Sequence, residues 1–229
     1  HPGTGMVVVT AVNDIATAVR CMKRGASDYL VKPVDRETLI SAVERALASR
    51  EMASENQRLR EALAQPGLSH PEAFASILTN SPIMANVFRY LEAIAGGTQP
   101  VLISGETGTG KELIAKALHE LSGRSGEFVA VNVAGMDDAL ASDTLFGHLK
   151  GAFTGADKDR PGLVRKAAGG TLFLDEIGDL GPEGQVRLLR LIQEREFYPV
   201  GSDTPQRSDA RIVAASLRNL EERMREGKF

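Results

Sequence analysis

The sequence predicts an α/β protein with two segments of alternating strands and helices, joined by a helical linker. Short apolar runs alternate with helix-forming stretches over residues 1–48, and the same alternation returns from residue 74 onward. The stretch between them is polar and strongly helix-forming, without a strand pattern. We therefore assign residues 1–48 to a first domain segment, 49–73 to a linker and 74–229 to a second domain.

The first segment predicts two strands and two helices. Residues 6–9 and 29–31 are short apolar runs, the first consistent with a buried strand. Gly25 favours the end of the intervening helix, and Asp35 is placed to cap the next one. The apolar residues at helical spacing are Ile15, Val19 and Met22 in the first helix and Leu39, Val43, Ala46 and Leu47 in the second. This order is typical of part of a doubly wound α/β unit.

Residues 48–65 predict a helix for which two interpretations stay open. A four-three-four spacing indicates a short coiled-coil seam with one polar layer, formed by Met52, Asn56, Leu59 and Leu63. The alternative is a solvated connecting helix, because two heptads are weak evidence. The dipeptides Pro66-Gly67 and His70-Pro71 then predict a break in the helix.

The second segment predicts four strands and two helices. Apolar runs indicate strands at residues 101–104, 128–131, 172–174 and 212–215. Helices are predicted at residues 112–121 and 184–194, the second with Val186, Leu189 and Ile192 roughly in phase.

Composition excludes several classes of protein. The chain is 42% hydrophobic and 25% charged with a net charge of −3, so nothing indicates a strongly basic nucleic-acid surface. One cysteine, Cys21, fits a reducing cytoplasm, and no apolar run approaches the ~20 residues of a membrane span. The chain begins at His1 without a signal-peptide pattern, and we expect it to be a fragment.

Residues 105–111, with the sequence GETGTGK, predict a phosphate-binding loop. They follow a predicted apolar strand and open a predicted amphipathic helix. This is the structural context in which the motif indicates phosphate binding. Glycines let backbone N–H groups turn toward phosphate oxygens, and Lys111 would reach the outer phosphates. A glycine-rich turn with a surface lysine is the alternative. The predicted nucleotide-binding residues here are Gly105, Glu106, Thr107, Gly108, Thr109, Gly110, Lys111, Glu112 and Leu113.

Two acids end the predicted strand at residues 172–174. Ligands of parallel sheets bind beyond the carboxyl ends of the strands, where the phosphate loop also lies. Asp175 is therefore expected to hold Mg²⁺, directly or through water, and Glu176 to orient the attacking water. Asn132 ends another strand and would lie at the same edge. Taken alone, each of these could be an ordinary solvated strand end.

Residues 146–148, 151–156 and 169–177 together resemble the central AAA+ domain of sigma-54-dependent transcription activators. The resemblance covers roughly residues 77–229, and in that family a glutamate follows the loop lysine, as Glu112 does here. It implies that Ile77 and Leu78 lie near adenine and that Asn132 links nucleotide state to Glu176. It also implies a sigma-54 contact with Phe153 and Thr154 at its tip, formed by Gly151, Ala152, Phe153, Thr154, Gly155 and Ala156.

The first segment is similar to the second half of a response-regulator receiver. Thr10, Tyr29 and Lys32 match its switch threonine, switch aromatic residue and lysine, and the resemblance implies a cis Lys32-Pro33 peptide. The phosphoacceptor aspartate would lie upstream of His1. The fold class is thus a partial receiver-type unit, a helical linker and an incomplete P-loop AAA+ domain that lacks its helical lid.

Three positions depart from the sigma-54 activator pattern. Leu149 and Arg165 each stand where glutamate is usual, and Ser216-Leu217 replaces a Thr-Asn pair. The second departure reverses a charge, and the third leaves the polar sensor at that strand end in question.

The resemblance implies a cytoplasmic, ring-forming ATPase that uses ATP and Mg²⁺ to remodel sigma-54 RNA polymerase for promoter opening. Its expected partners are the polymerase, an upstream sensor histidine kinase, further copies of itself as dimer and ring, and DNA through a C-terminal domain beyond this sequence. The truncated chain itself is expected to have little activity. One alternative is a regulatory assembly protein with little ATP turnover. An unrelated P-loop kinase or GTPase is another, but no base-specificity or acceptor motif supports it.

Overall fold

The computed structural model describes residues 4–12, 14–64 and 67–229, with only the backbone at residues 55, 58 and 62–64. The chain divides into two compact units, His1–Gly67 and Leu68–Phe229. Pro66, part of the predicted helix break, lies outside the described residues.

The first unit contains a parallel pair of strands with its helices. Its strand register runs from Val7 opposite Asp28 to Thr10 opposite Val31. The elements are β1 (Val7–Thr10), α1 (Ile15–Lys23), β2 (Asp28–Val31) and α2 (Arg36–Ala64). The strand and helix order therefore follows the sequence prediction. The predicted second helix and the predicted linker helix are parts of one continuous helix, α2.

Both helices of this unit begin at an aspartate. The carboxylate of Asp14 accepts the backbone N–H groups of Ala16 and Thr17, and that of Asp35 accepts the N–H of Thr38 at 2.7 Å. Each bond satisfies an N–H group that has no partner within the helix. The predicted cap at Asp35 is confirmed.

The apolar residues of the first unit are mostly exposed. Ile15 is 84% exposed and Leu47 is 51% exposed, whereas Ala42 and Ala46 of α2 are buried. Val9 of β1 is also 40% exposed, so the prediction of a buried strand is wrong. The described part of this unit has two short strands and two helices. These are too few elements to bury both faces of a sheet.

The second unit is a parallel α/β fold, which confirms the predicted fold class. One 3₁₀ turn lies at Pro71–Phe74 and another at Ile177–Asp179. The helices are α3 (Pro82–Ala95), α4 (Lys111–Leu121), α5 (Asp138–Phe146), α6 (Leu163–Lys166), α7 (Pro182–Glu194) and α8 (Leu220–Arg225). The strands are β3 (Val101–Ser104), β4 (Phe128–Asn132), β5 (Gly147–His148), β6 (Arg160–Pro161), β7 (Thr171–Asp175), β8 (Glu196–Phe197), β9 (Gln206–Arg207) and β10 (Arg211–Ser216).

Four of these strands form the central sheet in the order β3-β10-β7-β4, all parallel. Leu172, Leu174 and Ile212 pack on one face with residues of α5, α6 and α7. Phe173, Val213 and Ala215 pack on the other face with α3 and α4. Because neighbouring side chains on a strand point to opposite faces, a near-continuous apolar run is what a sheet covered on both sides requires.

Within the part of the chain that is described, no helix combines the length and the apolarity needed to span a bilayer.

Candidate functional site

The carboxyl ends of the four central strands meet along one edge of the sheet. Asn132 of β4 lies opposite Asp175 of β7, and Ser216 of β10 lies opposite Ser104 of β3. The predicted phosphate loop follows Ser104 directly. The structure thus brings the predicted loop, the acid pair and Asn132 to the same edge.

The phosphate loop turns through two glycines in the left-handed region. Gly108 has φ 80° and Gly110 has φ 86°, backbone conformations that side chains with a Cβ rarely adopt. Thr109 Oγ1 donates to the carbonyl of Glu106 at 2.7 Å and closes the turn. Gly110 precedes the first residue of α4, Lys111. The loop therefore delivers the positive end of a helix to the sheet edge.

Lys111 is only 8% exposed and its ammonium group points back into the loop. Its Nζ donates to the carbonyls of Gly105 at 3.0 Å and Glu106 at 3.2 Å. The carboxylate Oε1 of Glu176 lies 3.6 Å from the same Nζ. A buried ammonium group held in this way is preorganised to meet anionic phosphate oxygens.

The acid pair makes separate contacts. Asn132 Nδ2 donates to Asp175 Oδ2 at 3.2 Å, so the amide contacts Asp175 rather than Glu176 in this structure. Glu176 has φ 55°, a conformation uncommon for a residue with a side chain. Its Oε2 accepts the backbone N–H of Leu217 at 2.9 Å. The strained backbone turns the Glu176 carboxylate toward the phosphate loop and the end of β10.

The donor set at this edge fits Mg²⁺ held with phosphate. Magnesium in nucleotide sites keeps several waters and takes one or two carboxylates, and Asp175 supplies one at the strand end. Glu112, which follows the loop lysine, pairs instead with Lys116 at 2.7 Å on the surface of α4. Among the described residues no group of three or more His, Cys, Asp or Glu side chains could hold a metal ion by itself.

Two backbone groups at the end of β10 belong to the same network, and sequence reasoning missed them. Gly105 N donates to the carbonyl of Ser216 at 3.3 Å, and Leu217 N holds Glu176. Ser216 is 1% exposed, and its hydroxyl bonds to the backbone of Arg218. Backbone groups carry no residue-type signal, so only the strand register could have revealed them.

Ile77 and Leu78 follow the 3₁₀ turn before α3. The Ile77 side chain packs against the core cluster that includes Ile114 and Leu118 of α4, and its N–H donates to Phe74 at 2.9 Å. Leu78 is 96% exposed. The structure thus places Ile77 against the helix that begins at the phosphate loop and leaves Leu78 at the surface.

The segment Gly151–Ala156 is a tight loop closed by backbone bonds. Gly151 N donates to the carbonyl of Ala156 at 2.8 Å, and Ala156 N donates to that of Phe153 at 3.0 Å. Gly155 has φ 97°, which favours glycine there. Phe153 is 45% exposed, and Thr154 is exposed beside it. The loop presents both residues at the surface.

Side chains of α5 and β5 pack against the base of this loop. The His148 ring meets the Phe153 ring edge-on, with centroids 4.9 Å apart. His148 Nδ1 lies 2.5 Å from Asp143 Oδ1, and Arg160 donates to the other oxygen of Asp143 at 2.5 Å. Leu149 N donates to the carbonyl of Val200 at 3.0 Å. The base of the loop is therefore held more firmly than its tip.

The receiver-type residues cluster at the end of the β1–β2 pair. Tyr29 donates its hydroxyl to the carbonyl of Val12 at 2.6 Å, and Val12 N donates to Thr10 Oγ1 at 3.2 Å. Lys32 N donates to the carbonyl of Thr10 at 2.7 Å. The Lys32–Pro33 peptide is cis, as expected.

Comparisons with known proteins agree with this arrangement. Residues 77–229 match the family described as "Sigma-54 interaction domain". The "DNA-binding transcriptional regulator NtrC" of Azospirillum brasilense is 44% identical over 230 residues, covering 100% of this chain and 46% of the relative. The "Transcriptional regulatory protein ZraR" of Salmonella typhimurium is 45% identical over 233 residues, covering 100% of this chain and 50% of the relative. The chain thus spans about half the length of these relatives.

A solved structure of similar arrangement is that of NtrX from Brucella abortus in complex with ATP. It shares 32% sequence identity with a TM-score of 0.61 and covers 100% of this chain and 47% of that one.

Proposed function

The chain belongs to the family of sigma-54-dependent transcription activators, and we propose that its second unit is the ATP-hydrolysing motor that remodels sigma-54 RNA polymerase. The observation that carries the proposal is the network around Lys111, in which one carboxylate, that of Glu176, joins the phosphate loop to the end of β10. The relative of known structure that is described in complex with ATP supports the same ligand here.

Each residue of this edge has a role in the proposed hydrolysis. Lys111 and the loop N–H groups bind the phosphates, and Glu176 accepts the proton of the attacking water. Magnesium, when bound, would neutralise phosphate charge, and Asp175 is the residue that would hold it. Asn132 orients Asp175 through its amide. We expect an arginine of a neighbouring subunit to stabilise the transition-state charge, so activity would require ring assembly.

The partner contact is assigned to Gly151–Ala156. Phe153 and Thr154 are exposed at a loop whose base is fixed by backbone bonds and by the Asp143–His148 pair. An exposed aromatic side chain on a defined loop is the kind of group that anchors a protein interface. We propose that this surface contacts sigma-54.

Control by a receiver domain is proposed from the first unit. Thr10 ends β1, Lys32 follows β2 and the hydroxyl of Tyr29 reaches the carbonyl of Val12, where a receiver carries its switch residues. A sensor histidine kinase would then act on the whole protein, which would dimerise, assemble into a ring and bind DNA through a further domain. The full-length relatives named as DNA-binding regulators support this.

A regulatory assembly protein with little ATP turnover is the second candidate. The observation that favours it is the hydroxyl of Ser216, which is buried and bonded to the backbone of Arg218 instead of facing the nucleotide edge. A motor that lacks a polar side chain at this strand end would hydrolyse ATP slowly while still binding it.

Sigma-54 binding by the full-length parent protein tests the proposal. We expect binding in the presence of a transition-state analogue of ATP and its loss in Phe153→Ala. The matched control is Tyr90→Ala, which removes an aromatic side chain of α3 that is 45% exposed, as Phe153 is. Failure of sigma-54 to bind while ATP affinity is intact would reject the motor and favour the assembly protein.

A further inference from the structure

A cavity of ≈ 500 Å³ opens beside the base of the Gly151–Ala156 loop. Its walls are largely apolar, and Phe146 and Phe197 form part of them with their ring centroids 6.3 Å apart. Leu149 and Leu163 add aliphatic surface, and Leu149 is 37% exposed. This volume lies in the range of sites for small organic molecules, which are mostly apolar with a few polar groups. We call it the Leu149 cavity.

The charged residues that line the Leu149 cavity are mainly basic. Asp159, the acid among them, accepts the N–H of Lys150 at 2.7 Å. Arg160 is paired with Asp143, and Lys166 lies 3.3 Å from Glu127. The side chain of Arg165 makes no hydrogen bond or ion pair with any residue that the structure describes, whereas its backbone N–H donates to the carbonyl of Gly162. A guanidinium group beside an apolar wall is therefore left for a ligand.

Two residues from different elements decide the chemistry of this cavity. Leu149 and Arg165 both line it, although they lie on different elements, the loop base and α6. Leucine at position 149 makes the wall apolar and arginine at position 165 makes it basic. A glutamate at either position would repel an anion, so these two residues together favour an anionic ligand with an apolar body.

We propose that the Leu149 cavity binds a small organic carboxylate with an apolar body. The guanidinium group of Arg165 presents paired N–H donors that match a carboxylate. The apolar body lies against Leu149, which is 37% exposed, and this contact removes apolar surface from water. The proposal is independent of the motor function, since binding requires neither ATP nor sigma-54.

Naphthalene-2-carboxylate is a suitable probe, with naphthalene-2-carboxamide as its uncharged analogue of the same shape. Calorimetric titration of the whole chain should give an affinity for the carboxylate that is about tenfold higher or more, because a charge-assisted pair is stronger than a neutral hydrogen bond. Measuring both compounds separates the carboxylate site from general binding to the exposed apolar faces of the first unit.

Three variants locate the site. Arg165→Glu should remove the preference for the carboxylate over the carboxamide, and Leu149→Glu should weaken both compounds. Arg190→Glu makes the same charge change in a different cavity, beside Tyr198, and should leave both affinities unchanged. Arg165 and Arg190 are both exposed, so these variants are expected to fold.

Three results would overturn the proposal: equal affinities for the two compounds in the unsubstituted chain, a carboxylate preference that survives Arg165→Glu, or no binding of the carboxylate. If Arg190→Glu removes the preference as strongly as Arg165→Glu, the effect is one of net charge and the cavity is not the site.

Discussion

The phosphate-loop edge and the Gly151–Ala156 loop are built in opposite ways. At the edge, Lys111 is buried and its ammonium group contacts two carbonyls and a carboxylate. In the loop, Phe153 and Thr154 are exposed, and the bonds that shape the segment are backbone bonds. One region fixes its side chains, and the other fixes its backbone and leaves its side chains exposed.

This difference matches two kinds of task. Phosphoryl transfer depends on charges that are already in position, so a site that orders them before the substrate binds lowers the barrier. A transient protein contact needs apolar surface that water can reach until the partner arrives. The His148–Phe153 contact is the point where side-chain packing does extend to the exposed loop.

The largest effect is expected from Lys111→Ala. Removing a buried charge that meets phosphate should cost about 3 kcal/mol of nucleotide binding, or about 100-fold in Kd. Nucleotide titration of the full-length protein measures this. Lys116→Ala is the control, because Lys116 lies on the same helix, is about half exposed and pairs with Glu112. Equal ATP affinity in the Lys111 variant would mean that the loop is a structural turn.

Thr154→Ala should weaken sigma-54 binding without changing ATP hydrolysis. The side chain is exposed and takes no part in the hydrogen bonds and ion pair around Lys111, so ATP hydrolysis by the full-length protein should stay within about twofold. Sigma-54 binding should fall by about tenfold or more, as expected for a residue at the centre of a contact. Thr204→Ala changes another exposed threonine and should leave both unchanged. Parallel loss of hydrolysis and binding would indicate that the loop supports the fold.

The smallest effect concerns the helix that carries Lys111. His119 Nδ1 of α4 lies 2.9 Å from Thr171 Oγ1 of β7, and burial lowers the pKa of His119 against a smaller opposing effect of Glu120. Between the lowered pKa and the ordinary value near 6.5, the unfolded chain binds more protons than the folded one. Stability is therefore full above the ordinary value and is lost as the pH falls through this window.

Urea denaturation from pH 7.5 down to about pH 5.5 measures this contribution as the difference between the unsubstituted chain and His119→Gln. His70→Gln, at an exposed histidine, is the control. An unchanged pH dependence in His119→Gln would show that the contact between α4 and β7 is not sensitive to protonation.

Local sequence determined much of the second unit. The apolar runs placed β3, β4, β7 and β10 to within a residue or two, because a parallel sheet covered on both faces needs continuous apolar strands. The phosphate loop was also predictable, because Gly108 and Gly110 adopt φ values that favour glycine. The acid pair was predictable because it follows an apolar strand run. The family resemblance, confirmed by the comparisons, supports the proposed sigma-54 contact at Gly151–Ala156.

Tertiary structure alone decided the contacts that cross the sheet. The strand order sets β10 between β3 and β7, which brings the backbone of Ser216 and Leu217 to the phosphate loop and to Glu176. Packing within the second unit also brings Leu149 and Arg165 to one cavity. Residue type and spacing encode the period of a helix or strand, but which strands become neighbours depends on packing between distant segments.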